Sequence, residues 1–259
     1  MLLSAVIIVL REVIEAALLF SIFLFLGNEL KLKQTWFFGA LVLGLMGAIS
    51  YGLNIGWVSD WFEGVGQEVT NALIQFFIYF FVLIYIYLFI QAYYQNQNKW
   101  ILVIMILAGG LIISREGAEI LLYYFSVTRN ESNRIPAIMG MIMGASIGLS
   151  VGFLFYYLLK MVKAFSSTII AFILLILVSA GLVSQASMLL IQADWLPAQL
   201  PLWNTSAWLS EKSVMGQLVY ALLGYESTPT LIQLIFYLSA LIIPSTLSLF
   251  LYFKYSPSS

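Results

Sequence analysis

The chain has 259 residues, of which 62% are hydrophobic and 9% charged, with a formal net charge of −1. A soluble domain of this size cannot hide so much apolar surface, so the composition is that of an integral membrane protein. With no Cys and no His, disulfide scaffolds, Cys/His metal sites and Ser-His or Cys-His nucleophiles are excluded, and the near-neutral charge gives no bulk attraction to nucleic acid.

Seven apolar stretches, near 2–26, 35–57, 70–92, 100–126, 135–159, 166–192 and 231–253, are predicted as transmembrane helices. Each can cross about 30 Å of hydrocarbon at a rise of about 1.5 Å per residue. They are far longer than the roughly ten-residue strands of an outer-membrane barrel, so the fold class is all-α. The first span is not expected to be a cleaved signal peptide, because Arg11, Glu12 and Glu15 interrupt its apolar run and no basic segment precedes it. The connections are short except for 193–230. There, Ser210 and Gly224 stand where the caps of a short helix belong.

Lys and Arg outside the spans set the orientation. Odd-numbered connections and the C-terminus carry Lys31, Lys33, Lys99, Lys160, Lys163 and Lys254, whereas even-numbered ones carry only Arg129, Arg134 and Lys212. The N-terminus is thus predicted outside and the C-terminus inside. Asp60, Glu63, Glu68, Glu131, Asp194, Glu211 and Glu226 then fall on the outer face, against Glu29 inside. Trp36, Trp57, Trp61, Trp100, Trp195, Trp203 and Trp208 fall at span ends or in connections, as an interfacial aromatic belt requires.

The first span contains Arg11-Glu12-Val13-Ile14-Glu15 and the fourth Arg115-Glu116-Gly117-Ala118-Glu119, the same R-E-x-x-E pattern 104 residues apart. Both lie roughly 14–18 Å from the outer edge at helical rise, near the bilayer midplane. A charge there costs on the order of 2.5–3.5 kcal/mol, so six isolated ones would cost roughly 15–20 kcal/mol. They must face one another, water or a ligand. Glutamates at i and i+3 share a helix face, and the arginine at i−1 reaches the second of them by an i,i+4 pairing. Three spans separate the motifs, so the two helices run antiparallel. The chain reads as a single transmembrane domain, 1–259, made of two inverted three-helix repeats (1–98 and 99–192), an outer segment (193–230) and a seventh helix (231–253). Inverted repeats in transporters place their site at the midplane, where the halves meet. Gly39, Gly44 and Gly47 in one half echo Gly140, Gly144 and Gly148 in the other, at positions that permit close helix approach.

Four glutamates and two arginines leave a charge of −2, which buried must be met by protons or by a cation. Oxygen-only ligands select hard ions, and a ferritin-like di-iron enzyme would need Glu-x-x-His. Spacing alone therefore reaches a hard multivalent cation and leaves its identity open. A membrane scaffold locked by a buried ion-pair network is the alternative of another class; an intramembrane carboxylate hydrolase fits less well, because an arginine-braced pair is not a shared-proton dyad.

With these two motifs the sequence resembles the ferric iron permease family, the oxidase-dependent iron transporters of fungi and the EfeU-type permeases of bacteria, whose hallmark is R-E-G-L-E in the first and fourth of seven spans. Leu202-Trp203-Asn204, Gly216 and Leu223-Gly224-Tyr225 also resemble the family's C-terminal region. The chain departs from the pattern at Val13, at Ala118, and at Asn71-Ala72, where the family tends to carry Glu-Gly. The resemblance implies a permease rather than an enzyme, in a plasma or cytoplasmic membrane. Fe(III) would be its cargo, and no cofactor is implied. It further implies Glu12, Glu15, Glu116 and Glu119 as metal ligands, Arg11 and Arg115 as their supports, Glu68 as an accessory ligand, and an extracytoplasmic ferroxidase or iron-delivery protein as partner. A permease for another hard cation such as Mn(II) remains the alternative.

Overall fold

The computed structural model describes residues 2–95, 100–128, 131–162, 164–211 and 213–255. Lys99, Arg129, Lys163 and Lys212, used above for orientation, lie outside them. The described residues form helices and no strands: α1 (Leu2–Glu29), α2 (Thr35–Leu53), α3 (Ile55–Ser59), α4 (Gly66–Gln95), α5 (Ile101–Thr128), α6 (Glu131–Met161), α7 (Ala164–Gln192), α8 (Val214–Leu223) and α9 (Leu231–Tyr255), with one 3₁₀ turn at Trp61–Gly64. Six of these, α2, α4, α5, α6, α7 and α9, are long and apolar enough to cross a membrane. The 28-residue α1 is as long, but Arg11, Glu12, Glu15 and Glu29 leave no 18-residue stretch of it with two charges or fewer.

The second span is shorter than its hydropathy predicts. Asn54 ends α2 by turning its side-chain amide onto the Ser50 carbonyl at 2.8 Å, and α3 follows as a separate short helix. The chain then reverses through Phe62 and Glu63, both at positive φ, and Gly64 at φ 98°. Glycine takes that last conformation without the clash a side chain would bring.

Two helix pairs carry the bundle's architecture, α1 with α6 and α2 with α5. Both are parallel: Gly140 sits against Ala5, Gly144 against Val6 and Leu10, and Gly152 against Ala17, while Gly39 sits against Ile106, Gly44 against Ile113 and Gly52 against Leu121. The buried stripe of α2 is Trp36, Ala40, Gly44, Ala48 and Gly52, and that of α6 includes Gly140, Gly144, Gly148 and Gly152. Ala40 and Ala48 share the buried stripe with Gly44, and Gly39 and Gly47 beside them also approach α5 closely, as expected: a Cβ would press on Ile106 at Gly39 and run into Ser114 at Gly47. At Gly144 a Cβ would stand 2.6 Å from the Val6 carbonyl oxygen, and at Gly44 one would run into Ile113. Backbones this close explain the small residues.

Between the pairs, α1 and α5 run antiparallel: Gly27 meets Met105 and Phe20 meets Gly109, while Glu15 meets Arg115. Toward the end of the bundle where α1 stops, a core of Phe23, Trp36, Tyr85 and Phe89 fills the interior. Phe172 stands edge-on to Phe89 at 4.9 Å. Trp36 thus departs from the interfacial belt. It is buried and stacked on Phe20 with ring centroids 5.7 Å apart, because the start of α2 is folded directly onto α1. The other six tryptophans are exposed.

The opposite end carries 193–230, which folds on itself through Leu202 N–H to Pro229 O and Thr205 N–H to Ser227 O, at 2.8 and 2.9 Å. Its helix α8 is capped by Ser213, not Ser210: the Ser213 hydroxyl accepts from Gly216 N–H at 3.0 Å. Gly224 closes it in the left-handed conformation at φ 65°. The apolar face of α8 packs against α1 and α7, with Ala221 joining Leu10, Ile14 and Leu18 in one buried cluster.

Candidate metal centre

Helical geometry places Glu12 and Glu15 on one face of α1, and Glu116 and Glu119 on one face of α5. The antiparallel crossing turns these faces toward each other. One carboxylate oxygen from each of Glu12, Glu116 and Glu119 lies within 4.8 Å of the others. Ligand oxygens about 2.1 Å from a small hard cation lie within about 4.2 Å of one another, so a contraction of well under about 1 Å would close this trio around an ion. Glu12 Oε2 and Glu116 Oε2 are buried and find no hydrogen-bond partner. Buried acceptors are seldom left so, and two in one cluster need a proton or a positive charge to satisfy them.

Glu15 stands apart from the trio because both arginines hold it. Its Oε1 accepts from Arg11 Nε at 3.3 Å, and its Oε2 lies 3.6 Å from Arg115 Nη1. Arg115 also pairs with Glu116, and through Nη2 with Glu119 at 3.5 Å. The motif copies are identical in charge pattern yet unlike in setting. The Arg115 side chain is 4% exposed and faces three glutamates, whereas that of Arg11 is 42% exposed. Arg11 lies over the Tyr220 ring of α8, 5.1 Å from its centroid, a cation–π contact.

Sequence reasoning missed three partners. Gln185 of α7 donates through Nε2 to Glu15 Oε2 at 3.5 Å, and Gln75 of α4 donates to Gln185 Oε1 at 2.7 Å. The signal was present: an amide inside an apolar span needs a polar neighbour as a buried charge does. Tyr220, the third, carries no such mark, because an aromatic near a membrane surface is ordinary. Glu68 stands half-buried in the first turn of α4 and does not join the trio. The nearest link is Tyr51, in electrostatic range of both Glu68 and Glu119, whose hydroxyl donates to Asn71 at 3.1 Å.

Two spaces adjoin the centre. A void of about 10 Å³ lies among Glu15, Glu116, Gln185 and Tyr220, room for about one water. A larger cavity of about 350 Å³ is lined by Arg11, Glu211, Gln217, Tyr220, Glu226 and Gln233, among others. Tyr220 borders both. In the larger cavity Gln233 donates to Glu226 Oε2 at 2.6 Å while Glu226 Oε1 has no partner. Burial, and then the neighbouring Glu211 charge, push the Glu226 carboxyl up to about 7.

A bundle of long apolar helices with six charges gathered inside it defines a multi-pass membrane protein with a polar centre. A model of the iron permease FTR1 family matches residues 87–256, more than half of the chain, from α4 to the last helix and including the second motif copy. The chain belongs to that family, whose members are iron transporters rather than enzymes. No curated protein and no solved structure matches it.

Proposed function

We propose that this protein is a permease that carries Fe(III) inward through a midplane site built from both R-E-x-x-E motifs, with Glu12, Glu15, Glu116 and Glu119 as ligands. The observation that carries this reading is the grouping of carboxylate oxygens from two helices in one buried centre with orphaned acceptors among them. Arg115 and Arg11 orient the glutamates and hold down the charge of the set. The proposed topology is seven spans, with the charged α1 shielded from lipid by α5, α6 and α8, the N-terminus outside and the C-terminus inside. The matching of α1 on α6 with α2 on α5 supports two inverted repeats, 1–98 and 99–192, within one domain. Three positive charges moving through about 100 mV, negative inside, release roughly 7 kcal/mol, enough to drive uptake without a nucleotide. No resident cofactor is needed. A plasma or cytoplasmic membrane and an extracytoplasmic ferroxidase or iron-delivery protein complete the reading.

A pure ion-pair lock would produce the five observed pairs, but it leaves a charge of −2 and two buried acceptors unexplained. Iron uptake into proteoliposomes with an inside-negative potential separates the two, comparing wild type with Glu116→Gln and Glu15→Gln and offering Fe(III) citrate or ascorbate-reduced Fe(II). Loss of uptake in both folded variants, with preference for Fe(III), is expected. Variants that transport like wild type would sink the four-glutamate site, and Mn(II) uptake exceeding that of iron would transfer it to another cargo.

A further inference from the structure

We propose that Gln185 is a further ligand of the transported cation, supplying a neutral amide oxygen beside the carboxylates; this rests on reading the four glutamates as the cation's site. Gln185 is only 7% exposed and borders the small void together with Glu15 and Glu116. Among the described residues the void's polar lining is Glu15, Glu116, the Gln185 amide and the Tyr220 phenol, and of the two neutral groups only Gln185 also hydrogen-bonds a glutamate of the set.

The amide chain around Gln185 is arranged to turn over. Its Oε1 accepts from Gln75 Nε2 at 2.7 Å, a good bond, while its Nε2 reaches Glu15 Oε2 only at 3.5 Å, the outer limit of a hydrogen bond. Gln75, fully buried on α4, keeps an Oε1 with no partner at all. Rotation about the last side-chain bond exchanges the oxygen and nitrogen of an amide at almost no cost in shape. If Gln185 turned alone, its N–H would confront the N–H of Gln75, so the two must turn together. After both turn, Gln185 Nε2 donates to the Gln75 oxygen that now has no partner, and Gln185 Oε1 faces the void between Glu15 and Glu116. The exchange keeps one bond between the two amides with its direction reversed, gives up the long bond to Glu15, and moves the unpartnered position on Gln75 from its oxygen to its nitrogen, so the empty site favours the observed arrangement and only a cation favours the other.

A cation supplies the bias. With positive charge on Glu15 and Glu116, an N–H dipole aimed at them is repelled and a carbonyl dipole is attracted. Hard cations take six or more oxygens, so the glutamates leave coordination positions to fill. A neutral oxygen fills one without adding negative charge to a set that already exceeds its arginines by two. The void holds about one water, so the amide oxygen takes the place a water would otherwise occupy on the ion.

The test uses Tb(III), a hard trivalent luminescent probe, on the purified full chain in detergent. Decay rates in H₂O and D₂O count the waters bound to the ion. Wild type is compared with Gln185→Leu, with the shorter amide Gln185→Asn, and with Glu116→Gln. Each Gln185 variant is expected to hold Tb(III) with one more coordinated water than wild type and roughly tenfold more weakly. The Asn variant keeps a polar group there should the Leu variant misfold. An unchanged water count in Gln185→Asn, with Glu116→Gln abolishing binding, overturns the assignment of Gln185 and leaves the glutamate site standing. Tb(III) that fails to bind wild type, or binds Glu116→Gln equally well, overturns the glutamate site and Gln185 with it.

Discussion

The unequal settings of the two arginines make the sharpest prediction. Replacing Arg115 by Gln removes the positive partner of Glu15, Glu116 and Glu119 at a side chain 4% exposed. The remaining four carboxylates face Arg11 alone, a charge of −3. Breaking a buried ion network from one side costs about 3–5 kcal/mol. Arg11 pairs with Glu15 at 3.3 Å and, at the limit of 3.9 Å, with Glu12, from a side chain 42% exposed, and it contacts Tyr220. Its replacement by Gln should cost about 1 kcal/mol, the order of an exposed pair plus a cation–π contact. Thermal unfolding of the full chain in detergent, followed by tryptophan fluorescence, should therefore rank wild type and Arg11→Gln close together and Arg115→Gln well below. A ligand at about 100 times its Kd stabilises by about 2.7 kcal/mol, so saturating Tb(III) should return most of the lost stability to Arg115→Gln. Equal losses in the two variants would refute the reasoning, because local sequence alone would then decide the role of each arginine.

Gly144→Ala places a methyl group 2.6 Å from the Val6 carbonyl oxygen and should destabilise the α1–α6 pair by about 1–3 kcal/mol. Gly56→Ala, with nothing within 4 Å of the added Cβ, should be neutral or gain up to about 1 kcal/mol, and the same unfolding assay reads both. The Glu226 carboxyl, raised to about 7 chiefly by burial and then by Glu211, binds its proton more tightly in the folded segment than in the unfolded one. Stability of 193–230 should therefore be greatest below the ordinary carboxylate range and fall as pH rises toward 7. Hydrogen exchange across 214–233 should show that fall in wild type and a flat profile in Glu226→Gln; a wild-type segment equally protected at pH 5 and pH 8 would contradict it.

The long helices and the six charges were legible in the sequence because their signals are local: a hydropathy run, and a spacing of three residues on one helix. What was not legible depends on which helix lies across from which. Ala40 and Ala48 join the glycines of α2 in its contact with α5, because the register between the two helices places them there. Trp36 is interfacial by position and buried by packing. Ser210 and Ser213 are both plausible caps, and only the approach of Gly216 N–H selects the second. Gln75 and Gln185 stand on different helices, and their pairing becomes visible only when α4 meets α7.

The same dependence explains how two nearly identical motifs come to differ. Within the proposed repeats, α1 corresponds to α5 and α2 to α6, and nothing in either copy distinguishes Arg11 from Arg115. One asymmetry is that Arg11 meets 193–230, which with α9 lies outside the proposed repeats. That segment lays α8 over α1, sets Tyr220 beneath Arg11, and leaves the cavity of about 350 Å³ on Arg11's side of the centre. Toward the other end, Phe23, Tyr85 and Phe89 fill the interior. Glu211 and Glu226 line that cavity together with Arg11 and Tyr220, and Tyr220 also borders the void shared by Glu15, Glu116 and Gln185. Arg11 therefore opens onto the cavity while pairing with Glu12 and Glu15, whereas Arg115 is enclosed by Glu15, Glu116 and Glu119.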